Sequence, residues 1–181
     1  MSHLFYRKLP LCVLGGLLVA SLKVTNVQAL DNNLHFNGAL VSEPCNLDPN
    51  TSEITVDFKT VVEKYLYLNT RTMSIPFVVA LTDCDISLGN KVSLTFKGTE
   101  DTALPGMLAV TGSAKGIAVG METTEGNALA FNQPTPAYLL ASGNNSFKFM
   151  AYIIGEPLAI QNQSIIPGDF SATATFELAY P

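Results

Sequence analysis

The sequence predicts an all-β fold, an antiparallel sandwich, on three observations. Short β-branched or aromatic runs of mostly alternating polarity recur along the body, at 53–58, 75–81, 91–97, 107–111, 116–121 and 147–154. Turn-forming stretches punctuate them, at 98–101, 112–115, 125–127, 133–136 and 142–145. The chain then closes on GDFSATATFELAYP, in which Phe170, Ala172, Ala174, Phe176, Leu178 and Tyr180 alternate with Ser171, Thr173, Thr175 and Glu177. That period of two describes a half-buried strand running to the last residue. Strands at this spacing argue for a sandwich, and no convincing helix interrupts them. Residues 61–68 (VVEKYLYL) fit either one helical turn or an irregular strand.

The N-terminus is of a different kind. Arg7 and Lys8 precede an apolar run from Leu9 to Leu22, and Val27-Gln28-Ala29 places small residues at the −3 and −1 positions of a cleavage site. This is the pattern of a secretory signal peptide, residues 1–29. A membrane anchor is the competing reading, but the run is shorter than the roughly 20 residues a span requires. Residues 30–181 then make one domain of ordinary size.

Cleavage removes three cations, Arg7, Lys8 and Lys23, and no acid, so the remaining chain is more acidic than the whole chain's net charge of −5. Its charges are scattered, which excludes nucleic-acid binding through a basic patch. Cys12 leaves with the signal, so Cys45 and Cys84 remain as a pair in an oxidising compartment. A disulfide is the expected outcome, because a thiolate metal site would need further Cys or His and only His35 remains. Neither a metal nor a cofactor is expected.

Catalytic constellations are lacking in the pattern. Carboxylate pairs such as Glu100 with Asp101, Asp83 with Asp85, or Glu122 with Glu125 fall in predicted turns, where solvated charge is the ordinary expectation. Ser113 lacks the Gly-x-Ser-x-Gly spacing, and no phosphate loop or dinucleotide fingerprint occurs. The chain is expected not to be an enzyme and to have no small-molecule substrate. A secreted glycan-binding sandwich is the alternative of another class; it would rely on Tyr65, Tyr67, Tyr138 or Tyr152, since the chain has no Trp.

The segment before Cys45, LDNNLHFNGALVSEPC, carries its own alternation. Leu34, Phe36, Gly38 and Leu40 fall on one side, with a glycine where a side chain should point inward. Such a glycine marks a place where another surface approaches closely. From pattern alone, the segment is equally the first strand of the sandwich.

A signal peptide, an alternating tail with Gly38, Pro44-Cys45, Cys84, Gly168 near the end and a penultimate Tyr180 together resemble the chaperone–usher fimbrial (pilin) subunit family. Within it, KVSLTFKGTEDTALPGMLAVTG and IPGDFSATATFELAYP look most like the adaptor subunit of a pilus tip fibrillum. The resemblance implies an incomplete immunoglobulin-like sandwich lacking its final strand. That strand is supplied first by a periplasmic chaperone and then, at an outer-membrane usher, by the N-terminal extension of an adjacent pilin subunit. It also implies three segments: signal peptide 1–29, donor-strand extension 30–44 and pilin domain 45–181. The donor positions are Leu34, Phe36, Gly38, Leu40 and Ser42, although Ser42 is polar where many extensions carry a larger apolar residue. The acceptor and chaperone-binding strand comprises Gly168, Phe170, Ala172, Ala174, Phe176, Leu178, Tyr180 and Pro181, whose carboxylate two basic chaperone residues would grip. The expected function is a structural minor subunit, tip or adaptor, supporting adhesion from the cell surface. A major shaft pilin and an assembly terminator are the alternatives within the family.

Overall fold

The structure, a computed structural model, describes residues 36–38 and 43–181. The chain divides between Ala39 and Leu40 into two units. Of the first, Phe36–Gly38 are described; they have no regular secondary structure, and Phe36 is exposed. Residues 1–29, with Leu34, Leu40 and Ser42, lie outside the described residues.

The second unit is built on strands β1 (Asn46–Leu47), β2 (Ile75–Cys84), β3 (Lys91–Lys97), β4 (Leu108–Ala109), β5 (Thr111–Gly112), β6 (Ile117–Thr123), β7 (Ala128–Leu129), β8 (Tyr138–Leu139), β9 (Gly143–Gly155), β10 (Phe170–Ser171) and β11 (Thr175–Ala179). One sheet has the order β1-β2-β9-β6-β4, with β7 also on β6. The other has the order β11-β3-β8, and β10 pairs with β5. Every one of these pairings is antiparallel.

Period-two alternation sets the core. Phe77, Val79 and Leu81 of β2 and Phe149, Ala151 and Ile153 of β9 point inward from the first sheet. Val92, Leu94 and Phe96 of β3 meet them from the second. Phe96 stacks edge-on to Phe149 with ring centroids 5.2 Å apart, and Phe77 lies 5.7 Å from the same ring. Such offset and edge-to-face pairs stabilise beyond the area they bury. On the outer face Gly120 of β6 lies opposite Tyr152 of β9, where a Cβ would collide with the tyrosine ring. Close approach, rather than turn geometry, therefore requires the glycine.

Three features differ from the sequence expectation. The chain does contain helices. Residues 61–68 resolve into α1 (Glu63–Asn69), anchored by the fully buried Leu66 and by Tyr67, whose Oη accepts a hydrogen bond from the Ile165 N–H at 3.1 Å. A second short helix, α2 (Pro157–Gln161), begins with proline in its first turn, where the missing N–H costs nothing. Next, residues 53–58 form no ladder strand among the described residues. Finally, the closing strand is split: Phe170–Ser171 pairs with β5, residues 172–174 pair with nothing among the described residues, and Thr175–Ala179 pairs with β3. The period of two is local and cannot report that a strand changes partner midway.

Cys45 and Cys84 form the expected disulfide, buried, with Cα atoms 4.1 Å apart. It ties the residue before β1 to the last residue of β2 across 39 positions of sequence. Replacing both cysteines by serine is expected to lower stability by about 4 kcal/mol on the chain-entropy model. Urea denaturation of the oxidised and variant chains measures this, and a loss under about 1 kcal/mol would contradict the loop-closure account.

Candidate functional site

Two chain segments face each other across an open groove of about 1010 Å³. One wall is the unpaired stretch 52–61 and the other is 168–176, leading into β11. Phe77, Phe96, Leu108, Val119, Met121 and Phe131 form an apolar floor. The first wall alternates: Ile54, Val56 and Phe58 are half-buried, whereas Thr55, Asp57 and Lys59 are exposed. It therefore has the side-chain pattern of a strand without the ladder.

The second wall explains why the ladder is absent. Among the described residues β11 pairs with β3 alone, so its other edge faces the groove with its N–H and C=O groups unpaired. Backbone groups at such an edge must be met by water or by another strand. Toward Gly168 the walls approach one another, and the rings of Phe58 and Phe170 lie 6.4 Å apart.

Most residues expected on the acceptor strand fall in or beside this groove. Phe170, Ala172 and Phe176 line it and pack on the core. Gly168 lines it too, held against the 113–114 turn, where a Cβ would strike Ser113. Nearby, the Asp169 carbonyl accepts hydrogen bonds from the N–H groups of Ser113 and Ala114, and the Asp169 N–H donates to Ser113 Oγ at 3.0 Å. Ala174 also lines the groove but is exposed, which breaks the expected alternation at the partner switch. Leu178 packs on both the main core and a second cluster around Cys45, Leu81, Cys84, Val92 and Leu140, and Tyr180 packs on that second cluster. There the Tyr180 Oη is buried without a hydrogen-bond partner among the described residues, and burial pushes its pKa up, with Glu43 adding to the effect. Pro181 is exposed. Of the donor positions, only Phe36 and Gly38 lie among the described residues.

Sequence reasoning missed the wall 53–61. Its alternation was visible, but it read as an ordinary paired strand, because pairing is a property of neighbours distant in sequence.

The carboxylates singled out for catalysis act as local acceptors. Glu100 accepts from Asn132 Nδ2 at 2.9 Å and from the Gly106 N–H at 2.8 Å, bonds that hold its carboxyl below the usual range. Asp85 accepts from both the hydroxyl and the N–H of Ser87. Asp101 accepts from the N–H groups of Ala103 and Leu104. Glu122 departs from expectation, being buried in β6 rather than placed in a turn. Arg71 clasps it with two bonds of 2.7 and 3.0 Å, Ser74 Oγ donates to it, and the guanidinium lies 4.0 Å over the Tyr152 ring. Among the described residues no group of three or more His, Cys, Asp or Glu could hold a metal ion.

A profile of the family described as Fimbrial protein matches residues 34–181. The fimbrial adapter PapK of Escherichia coli is 36% identical over 162 residues, covering 84% of this chain and 90% of that protein. The protein PrsK of Escherichia coli is 37% identical over the same shares. The major MR/P fimbria protein of Proteus mirabilis is 32% identical, covering 96% of this chain and 98% of that one. The crystal structure of the P pilus rod subunit PapA superposes with a TM-score of 0.68 at 22% identity, covering 77% of this chain and 100% of that chain. The chain belongs to the fimbrial protein family. It is a chaperone–usher pilin of immunoglobulin-like fold, a structural subunit and not an enzyme, exported to the cell-surface fimbrium.

Arg71 holds the Glu122 carboxyl below its ordinary pKa, so this contact stabilises the fold above the unfolded value of about 4.3 and ceases to do so as pH falls through the folded one. Thermal melts should show stability declining below about pH 4, and Glu122→Gln should flatten that decline. At neutral pH the same substitution should cost about 1–3 kcal/mol, since it weakens a buried charge-assisted pair.

Proposed function

We propose that the groove receives a donor strand, and that this chain is a minor fimbrial subunit, a tip or adaptor pilin, assembled by donor-strand complementation and exchange. One observation carries the reading: an apolar slot lies between two chain segments that carry no strand pairing toward one another among the described residues. A strand inserted there would satisfy the β11 edge and cover the floor at once. Each large donor side chain buried would contribute roughly 1.5–3 kcal/mol before ordering costs.

The partners are those the family resemblance implies, and the open groove supports them. A periplasmic chaperone would occupy the slot first, with an adjacent pilin's extension replacing it at the outer-membrane usher. Residues 30–44 of this chain would serve the next subunit in the same way, with Phe36 seated and Gly38 where the slot is shallow. The orphaned Tyr180 Oη stands near the end of the acceptor strand, where the chaperone would meet Pro181.

Two observations bear on the place in the fimbria. The groove remains open as far as Gly168 and Val61, which supports a subunit that accepts a further neighbour over an assembly terminator. Identity to the adapters PapK and PrsK exceeds that to the major MR/P fimbria protein, which supports an adaptor over a shaft position. Adhesion would be served indirectly, by carrying other subunits.

The test is a thermal melt of residues 30–181, alone and with a donor strand fused behind Pro181 through a flexible linker. The fused chain should melt far higher, by more than a single core contact supplies. A bare chain that is monomeric, cooperative and unmoved by the added strand would end this reading. Independently, Gly38→Arg should prevent this subunit from filling a neighbour's groove; normal joining would show that the donor register is wrong.

A further inference from the structure

Beside the groove lies a second apolar surface. Val62, Tyr65 and Leu68 are 56, 42 and 85% exposed, although Leu66 between them is fully buried. Tyr65 and Leu68, three apart, lie along one side of α1, opposite the side that anchors the helix, and Val62 precedes them at its N-cap. With Thr60, Val61, Lys64 and Thr72 they line a depression of about 450 Å³. Clustered exposed residues of this kind mark interaction surfaces, whereas a single exposed leucine would not.

Two facts say what would cover it. Thr60 and Val61 line both the groove and the depression, so the two surfaces are continuous. The direction of an added strand follows from the sandwich, in which every ladder between named strands is antiparallel. A strand laid antiparallel on the free edge of β11 enters beside Tyr180 and leaves at the Gly168 and Val61 end. Its owner is then close at hand, because in a chain of this design only Glu43 and Pro44 separate the last donor position, Ser42, from Cys45. Three residue steps reach at most about 10 Å.

We infer that the side of α1 carrying Val62, Tyr65 and Leu68 seats the folded body of the neighbouring pilin whose extension fills the groove. This rests on the strand-exchange reading and adds to it a second contact, between bodies rather than between a strand and its slot.

The experiment compares two donors on the same acceptor, residues 45–181 carrying its groove but no extension and released from a fused donor strand by linker cleavage. One donor is a peptide of residues 30–44; the other is a second copy of residues 30–181. The joint with the complete copy should dissociate about tenfold more slowly than the joint with the peptide. Tyr65→Ser with Leu68→Glu in the acceptor should abolish that difference and leave the peptide joint unchanged, which also shows that the variant has folded. Equal dissociation of the two donors from the unaltered acceptor would overturn the inference while leaving the groove reading intact. A peptide that fails to insert would remove both. If the acceptor with its fused strand uncut self-associates, and the double substitution abolishes that association, the surface is a face for lateral pairing and the inference also fails.

Discussion

The unpaired edge of β11 is the constraint on which the rest of this structure depends. A sandwich buries its core by covering each sheet with the other. Here the sheet of β11, β3 and β8 stops one strand short, opposite a first sheet in which β9 is flanked by β2 and β6. Phe96, Met121 and Phe131 therefore belong to the core and at the same time form the floor of a slot. Backbone polarity and apolar area are left incomplete at the same place among the described residues, and a single extended segment laid there would satisfy both.

What keeps the slot open is the completeness of everything behind it. Val79, Leu94, Phe149 and Ile153 are almost wholly inaccessible, and aromatic contacts run from Phe77 through Phe149 to Phe96. Dense packing on that side makes the sheets resist collapsing toward one another. The walls carry their own protection against wrong partners. Asp57 and Lys59 face solvent on one wall, and Glu177 lies on the exposed side of β11, within 3.7 Å of Lys97. Charges at sheet edges disfavour indiscriminate strand pairing.

Much of this was legible in residue order. Short β-branched or aromatic runs located β2, β3, β6 and β9 closely; β2, β3 and β9 alternate over much of their length, whereas β6 is buried on both faces. Counting the cysteines left after the signal peptide paired Cys45 with Cys84. The residues of the wall leading into β11 were also legible, because Phe170, Ala172 and Phe176 alternate as half-buried positions. The opposite wall was not. Ile54, Val56 and Phe58 look the same whether a ladder partner is present or missing, and only the tertiary arrangement tells the two apart. Helix α1 was ambiguous for a related reason: VVEKYLYL is too short for a helical period to emerge, and the burial of Leu66 with the Tyr67 contact to Ile165 decides it. Glu122 was misplaced because its cation, Arg71, is 51 positions away in sequence.

The disulfide also determines how the domain would bear mechanical load. For a subunit pulled through the residues preceding Cys45, tension enters at β1, a strand of two residues that would peel from β2 one hydrogen bond at a time. Cys45 is instead bonded covalently to Cys84, at the end of β2, so the pull bypasses β1 and passes to a strand paired with β9 along most of its length. There it acts along the strands, and their hydrogen bonds must yield together in shear.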